Sequence, residues 1–188
     1  MSVDWLSRDE LGLVAPNTER LSVRSNKIRG VVIHWVNDIP EPNDPSALWR
    51  QLQQEAMSGN NVNNTEYGDV EYNAAALASI AHPGNGTIFA GRDNSWTGAH
   101  ATSAGNLANE VTLGLVVVGN VLDPGVIEAI NAYLWVVKVG IVGTAVGQPF
   151  VLEGHQELVN VGGISTACPG AFEDFVVWQR AVLGASKL

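Results

Sequence analysis

Two short runs constrain this chain most: "GVVIHWV" at residues 30–36 and "VTLGLVVVGN" at 111–120. Both are apolar at nearly every position instead of at alternate ones. A strand of that kind must be covered on both faces, which is the condition of a central strand in an α/β sheet. "EYNAAALASI" (71–80) and "GTIFAG" (86–91) flank the turn residues "AHPGN" and predict a β-hairpin. "PFVLEG" (149–154) predicts a last short strand. Helices are predicted where a helix start precedes apolar residues. They are "NDPSALWRQLQQEAM" with Leu48, Leu52 and Ala56 at helical spacing, and "DPGVIEAINAYLWVVKVGIVGTAVG", expected to be largely buried and weakened or ended at Gly140 and Gly143. A third is "PGAFEDFVVWQRAVLG", with Phe172, Phe175, Val176 and Val182 on its inner side. The first 30 residues read as an extended lead-in, "SGNNVNNTEYGD" as a polar loop, and "NSWTGAHATSAGNLANE" as a long surface loop. The expectation is α/β: a single domain over 1–188 with a central mixed β-sheet of about five strands flanked by helices.

The totals narrow the chemistry. In 188 residues 46% are hydrophobic and 15% charged, enough for one full core and too apolar for general disorder. The formal net charge of −9 argues against nucleic acid and anionic membranes as partners. "GVVIHWV" is too short to span a bilayer and lacks signal-peptide order, so no membrane insertion and folding in a cytoplasm are expected. The single cysteine, without a possible internal disulfide, agrees with that. Monomer is the default. The terminal Ser-Lys-Leu and the triplets at Asn63 and Asn85 are matches frequent enough by chance to set aside.

Four histidines and Cys168 carry the remaining signal. His34 lies inside an apolar strand, where imidazole is costly to bury without a partner. His155 follows Gly154 where a strand should leave the sheet, the usual place for an α/β site. Cys168 precedes Pro169-Gly170. Two strand histidines and a loop thiol could converge on one zinc, leaving the fourth tetrahedral position to water. At this point three readings stand: a metal site, a cysteine nucleophile paired with His155, or a hydrogen-bonded core histidine unrelated to the thiol. His82, beside Pro83, reads as a turn residue.

Five segments in one order resemble a known family. "LSRDELG", "VVIHW", "EYNAAALASIAHPGNGTIFAGRD", "GAHATSAGNLANEVTLGLVVVGN" and "GHQELV" with "STACPG" are similar to successive pieces of the type 2 N-acetylmuramoyl-L-alanine amidases, the superfamily of phage lysis amidases and peptidoglycan recognition proteins. The resemblance implies a zinc cofactor held by His34, His155 and Cys168. It implies catalytic roles for Tyr72, which helps position water and substrate carbonyl, and for Thr166, a donor to the developing oxyanion. It implies a pocket role for His100, not as a ligand; Trp96 and Asn106 are candidates to line the same groove. The implied reaction is hydrolysis of the amide between the muramic acid lactyl group and L-alanine, with the glycan strand and stem peptide of bacterial peptidoglycan as partner. The implied setting is a phage endolysin, held in the host bacterial cytoplasm until lysis. The alternative is a non-catalytic peptidoglycan-binding module. Trp35 departs from the pattern and, by strand alternation, should point away from the metal side. Val116 stands where one subgroup carries a catalytic glutamate. Glu157 reads as a salt-bridge group first and a general base second.

Overall fold

The computed structural model describes residues 3–7, 9–10, 22–36, 72–78, 86–90, 94–97, 100, 107–118, 123–143, 149–159 and 168–188. The strands are β1 (Asp4–Leu6), β2 (Ser22–Val23), β3 (Gly30–Val36), β4 (Tyr72–Ala78), β5 (Gly86–Ala90), β6 (Trp96–Thr97), β7 (Thr112–Val118) and β8 (Val151–Gly154). The α-helices are α1 (Leu107–Val111), α2 (Pro124–Val136), α3 (His155–Val159) and α4 (Glu173–Leu183). The predicted helix near Pro45 lies outside the described residues.

Six strands form one sheet in the order β1-β5-β4-β7-β3-β8. Only β4 and β5 pair antiparallel, as the hairpin signal requires; the other neighbours are parallel. The sixth strand, β1, pairs with β5 at the edge. It is three residues long, too short to carry a periodic pattern, so the sequence reads there only as extended chain. β2 and β6 form a separate antiparallel ribbon. The stretch expected as one long loop thus contains β6 and α1, and buries His100.

The two inner runs are buried on both faces, and the faces differ. Val31, Ile33, Leu113, Leu115 and Val117 join Ile88, the inner stripe of α2 (Val126, Ala129, Ile130, Tyr133, Leu134) and Phe172 and Val176 of the C-terminal segment in the main core. The alternate residue Val32 packs with Ala108 of α1 and Leu158 of α3 on the opposite face. That division decides where the site lies.

Asp123 caps α2 by accepting the Gly125 N–H at 2.8 Å. Past Val136 the helix widens into a π-helical segment, Val137–Val142, and ends at Gly143. It is not buried all round, contrary to the apolar reading. Trp135, Val136, Val139 and Ile141 are exposed, because one helix lying on one sheet buries only one stripe. By length and composition alone Pro124–Val142 would cross a bilayer; here its inner stripe completes the core. A 3₁₀ turn, Gly170–Phe172, precedes α4. Val182 is exposed and not on the inner side. Phe172, Val176 and Gln179 define the inward stripe, and Val182, about 120° round the helix from Val176, lies on its exposed flank.

Candidate metal centre

Register builds the site. β3 and β8 run parallel with Ile33 opposite Gly154, so His34 and His155 come next on the same rung. Adjacent strands lie about 4.8 Å apart, and the two imidazole centroids are 4.5 Å apart. β8 ends there, and His155 opens α3. His34 is on the face of Val32, and Val116 stands beside it on β7, fully buried. Trp35 takes the other face, its ring 6.3 Å from that of Phe172.

Cys168 is fixed by backbone contacts. Where the β3–β8 ladder ends, the Trp35 N–H donates to Cys168 Sγ at 3.3 Å. The Gln156 N–H donates to the Cys168 carbonyl at 2.6 Å. Two glycines admit the segment. A Cβ on Gly154 would meet Pro169 Cδ at 2.7 Å, and one on Gly170, whose φ is +54°, would meet the Trp35 ring at 2.7 Å. Gly154→Ala must therefore push the Cys168–Pro169 turn away from β8. Its expected effect is a loss of about 1–3 kcal/mol in denaturant unfolding together with weaker zinc binding. Unchanged stability and affinity would show that the turn seats itself without Gly154.

One ligand atom from each of His34, His155 and Cys168 falls within 4.8 Å of the others. His34 Nδ1 and Cys168 Sγ are 3.9 Å apart. That is close to the edge, about 3.5 Å, of a tetrahedron with Zn–N near 2.0 Å and Zn–S near 2.3 Å. His155 Nε2 is buried without a hydrogen-bond partner among the described residues. A metal ion would complete it, as buried polar atoms require a partner. Two imidazoles and a thiol are a zinc donor set, so these residues fit the ion that the resemblance implies.

Burial pushes the basicity of His34 well below the usual imidazole range, with His155 and His100 adding to the effect. His155 is lowered by burial as well. Neutral rings keep their lone pairs for a metal. Glu157 sits behind the site and accepts from the Gly154 N–H at 2.9 Å, from Lys187 at 2.7 Å and from Arg180. Burial alone would raise its carboxyl; the bonds from Lys187, Gly154 and Arg180 outweigh that and hold it below the ordinary value. A carboxylate so engaged braces the β8–α3 junction that presents His155.

His100 is buried with Nδ1 3.2 Å from His34 Nε2. Burial lowers its pKa to about 3 against the bond to Thr112, with Arg24 and His155 lowering it further. Tyr72 opens β4, its backbone opposite Gly114 of β7. The Tyr72 side chain, the Trp96 side chain, Asn106, Thr166 and His82 lie outside the described residues.

The comparison with solved structures is consistent across long stretches of chain. Drosophila peptidoglycan recognition protein LB matches at 21% identity, over 90% of this chain and 89% of that one, with a TM-score of 0.62. Drosophila peptidoglycan recognition protein SD matches at 18%, over 95% of both, with a TM-score of 0.65. The fold is that of the peptidoglycan recognition proteins. Recognition protein LE, solved in complex with tracheal cytotoxin, a monomeric diaminopimelic acid-type peptidoglycan, matches at 15% over 93% of this chain and 92% of that one, TM-score 0.65. No protein-family model and no curated protein matches the sequence. The likeness to these structures is one of fold, at identities of 15–21%.

Proposed function

We propose that this chain is a zinc-dependent N-acetylmuramoyl-L-alanine amidase. The observation that carries the reading is the convergence of His34, His155 and Cys168 on one face of a recognition-protein sheet. That similar structures hold tracheal cytotoxin supports peptidoglycan as the ligand class. A complete His-His-Cys donor set favours catalysis over binding alone, since binding needs no metal.

When bound, zinc supplies Lewis acidity toward the amide carbonyl and toward water. The chain's own residues do the rest. His34 and His155 offer neutral nitrogens, and Cys168 as a thiolate offers one negative charge, leaving the centre net positive by one. In this reading the Tyr72 hydroxyl and Thr166 donate to the oxyanion that develops at the lactyl carbonyl. One water is consumed and the C–N bond breaks. The lactyl group leaves as a carboxylate and L-alanine as the free amino terminus of the stem peptide. The host-lysis role belongs to the same proposal.

Digestion of purified peptidoglycan followed by mass spectrometry tests the reaction. Free stem peptides beside intact glycan strands are the expected products, abolished by chelation and restored by zinc. Cleavage within the glycan or within the peptide would overturn the assignment. Tyr72→Phe removes one hydroxyl and should lower kcat about 100-fold, the scale of one lost transition-state donor, with little change in KM. Wild-type turnover at full zinc occupancy would return Tyr72 to a structural role and leave Thr166 to be tested next.

A further inference from the structure

We infer that His100 is a positioning residue that sets the tautomer of His34, through a hydrogen-bond chain that starts at the α1–β7 junction. The inference deepens the zinc-site reading and rests on it.

The direction of each bond in the chain is fixed by the one before. Thr112 Oγ1 donates its single proton to the Ala108 carbonyl at 2.6 Å. It therefore has only lone pairs to offer His100 Nε2, which lies 3.4 Å away. The other neighbour of His100 Nε2 is the Thr112 carbonyl oxygen, also at 3.4 Å, and a carbonyl can only accept. Both partners being acceptors, the proton of the neutral His100 ring sits on Nε2. Its Nδ1 is then a lone pair, facing His34 Nε2 at 3.2 Å. That contact needs one proton, and His34 must supply it from Nε2. The lone pair of His34 is thereby left on Nδ1, the atom 3.9 Å from Cys168 Sγ. The tautomer that a metal requires at the centre is dictated from the far end of the chain.

The chain is held rigidly. The His100 N–H donates to Asn109 Oδ1 at 3.0 Å. Arg24 Nη1 donates to the carbonyls of Asn109, Glu110 and Thr112 at 2.7, 2.6 and 3.2 Å, which fixes α1 against the start of β7. The two imidazole planes are inclined at 81° with centroids 5.4 Å apart, a separation that suits rings joined nitrogen to nitrogen and is too wide for stacking. An outer partner of this kind typically contributes 10–100-fold to metal affinity. This role is distinct from the substrate contact expected of His100.

Nitrogen-detected NMR on the zinc-free wild-type protein reads the tautomer without any metal. The expected spectrum has His34 protonated on Nε2 and His100 protonated on Nε2; His34 protonated on Nδ1 would overturn the inference. His100→Leu fills the space without an acceptor, whereas His100→Asn returns an oxygen near the position of Nδ1. Chelator competition should give zinc affinity lowered about 10–100-fold in His100→Leu and largely recovered in His100→Asn. The cobalt-substituted leucine variant should show an altered visible spectrum. Wild-type affinity in His100→Leu with a native circular dichroism spectrum would also overturn it. If His100→Leu fails to fold, the wild-type NMR result still decides. A wild-type protein that binds no zinc would remove the metal-site reading while leaving the tautomer measurement intact, so the two failures are separable.

Discussion

Cys168→Ser is expected to abolish stoichiometric zinc binding and, with it, stem-peptide release, while leaving the fold in place. Serine keeps an oxygen for the Trp35 N–H that now meets Sγ at 3.3 Å. It does not keep a thiolate, and a neutral hydroxyl is a poor replacement for the one anionic donor of the set. The loss of affinity should exceed the roughly 10–100-fold that removing an outer hydrogen-bond partner costs. Activity alone would not separate a ligand from a nucleophile, since serine impairs both. Metal content does. A ligand reading requires zinc near one equivalent in wild type and near zero in the variant, with the wild type silenced by a chelator. A nucleophile reading requires wild-type activity to survive chelation, and that result would discard the centre described above.

Much of the architecture was legible because the strongest local signals coincide with the most buried elements. "GVVIHWV" and "VTLGLVVVGN" have no continuous polar face, and the structure buries residues 30–34 of the first and 111–117 of the second. The hairpin of β4 and β5 followed from its turn residues. One-sided burial of α2 and the π-helical segment after it was not legible, because Trp135, Val136, Val139 and Ile141 make much of the outer side apolar. Nor was β1, whose pairing is a tertiary event with no local pattern. At the site, alternation along β3 separates His34 from Trp35, and the structure places the two rings on opposite faces. Spacing could not show that His155 shares a rung with His34, because strand register depends on pairing and not on sequence distance. Glu157 and His100 show the same limit. Each sits on a segment whose local pattern reads as a turn or loop, and each gains its partners only when other parts of the chain pack against it: the Arg180 and Lys187 side chains for one, the Thr112 carbonyl and the Asn109 side chain for the other.

The metal-free protein is expected to lose stability steeply on acidification below about pH 6.5. His34, His100 and His155 all have folded pKa values lowered by burial. In the unfolded chain each returns to the ordinary value near 6.5. Below that pH the unfolded state binds more protons than the native one, so the free energy of unfolding falls as pH falls. Each histidine contributes a slope of about 1.4 kcal/mol per pH unit between its unfolded and folded values. For His100, lowered to about 3, that window extends from pH 6.5 down to 3 and amounts to about 5 kcal/mol. His34 and His155 add to that slope over the range by which each is lowered, against a total stability of about 5–15 kcal/mol for a domain. Glu153 opposes part of this. Burial raises its carboxyl against the bond from Leu188, so the native state takes up a proton there above the ordinary carboxylate range. Glu157, held low, adds to acid loss only below that range. Unfolding by urea at half-unit steps from pH 7 to 5 measures the slope directly. Zinc should shift the curve to lower pH, because protons and metal compete for the same imidazole lone pairs and bound metal favours the folded state. A metal-free protein equally stable at pH 7 and pH 5 would mean that the three rings take up protons without unfolding, and a cluster of neutral donors would no longer describe the site.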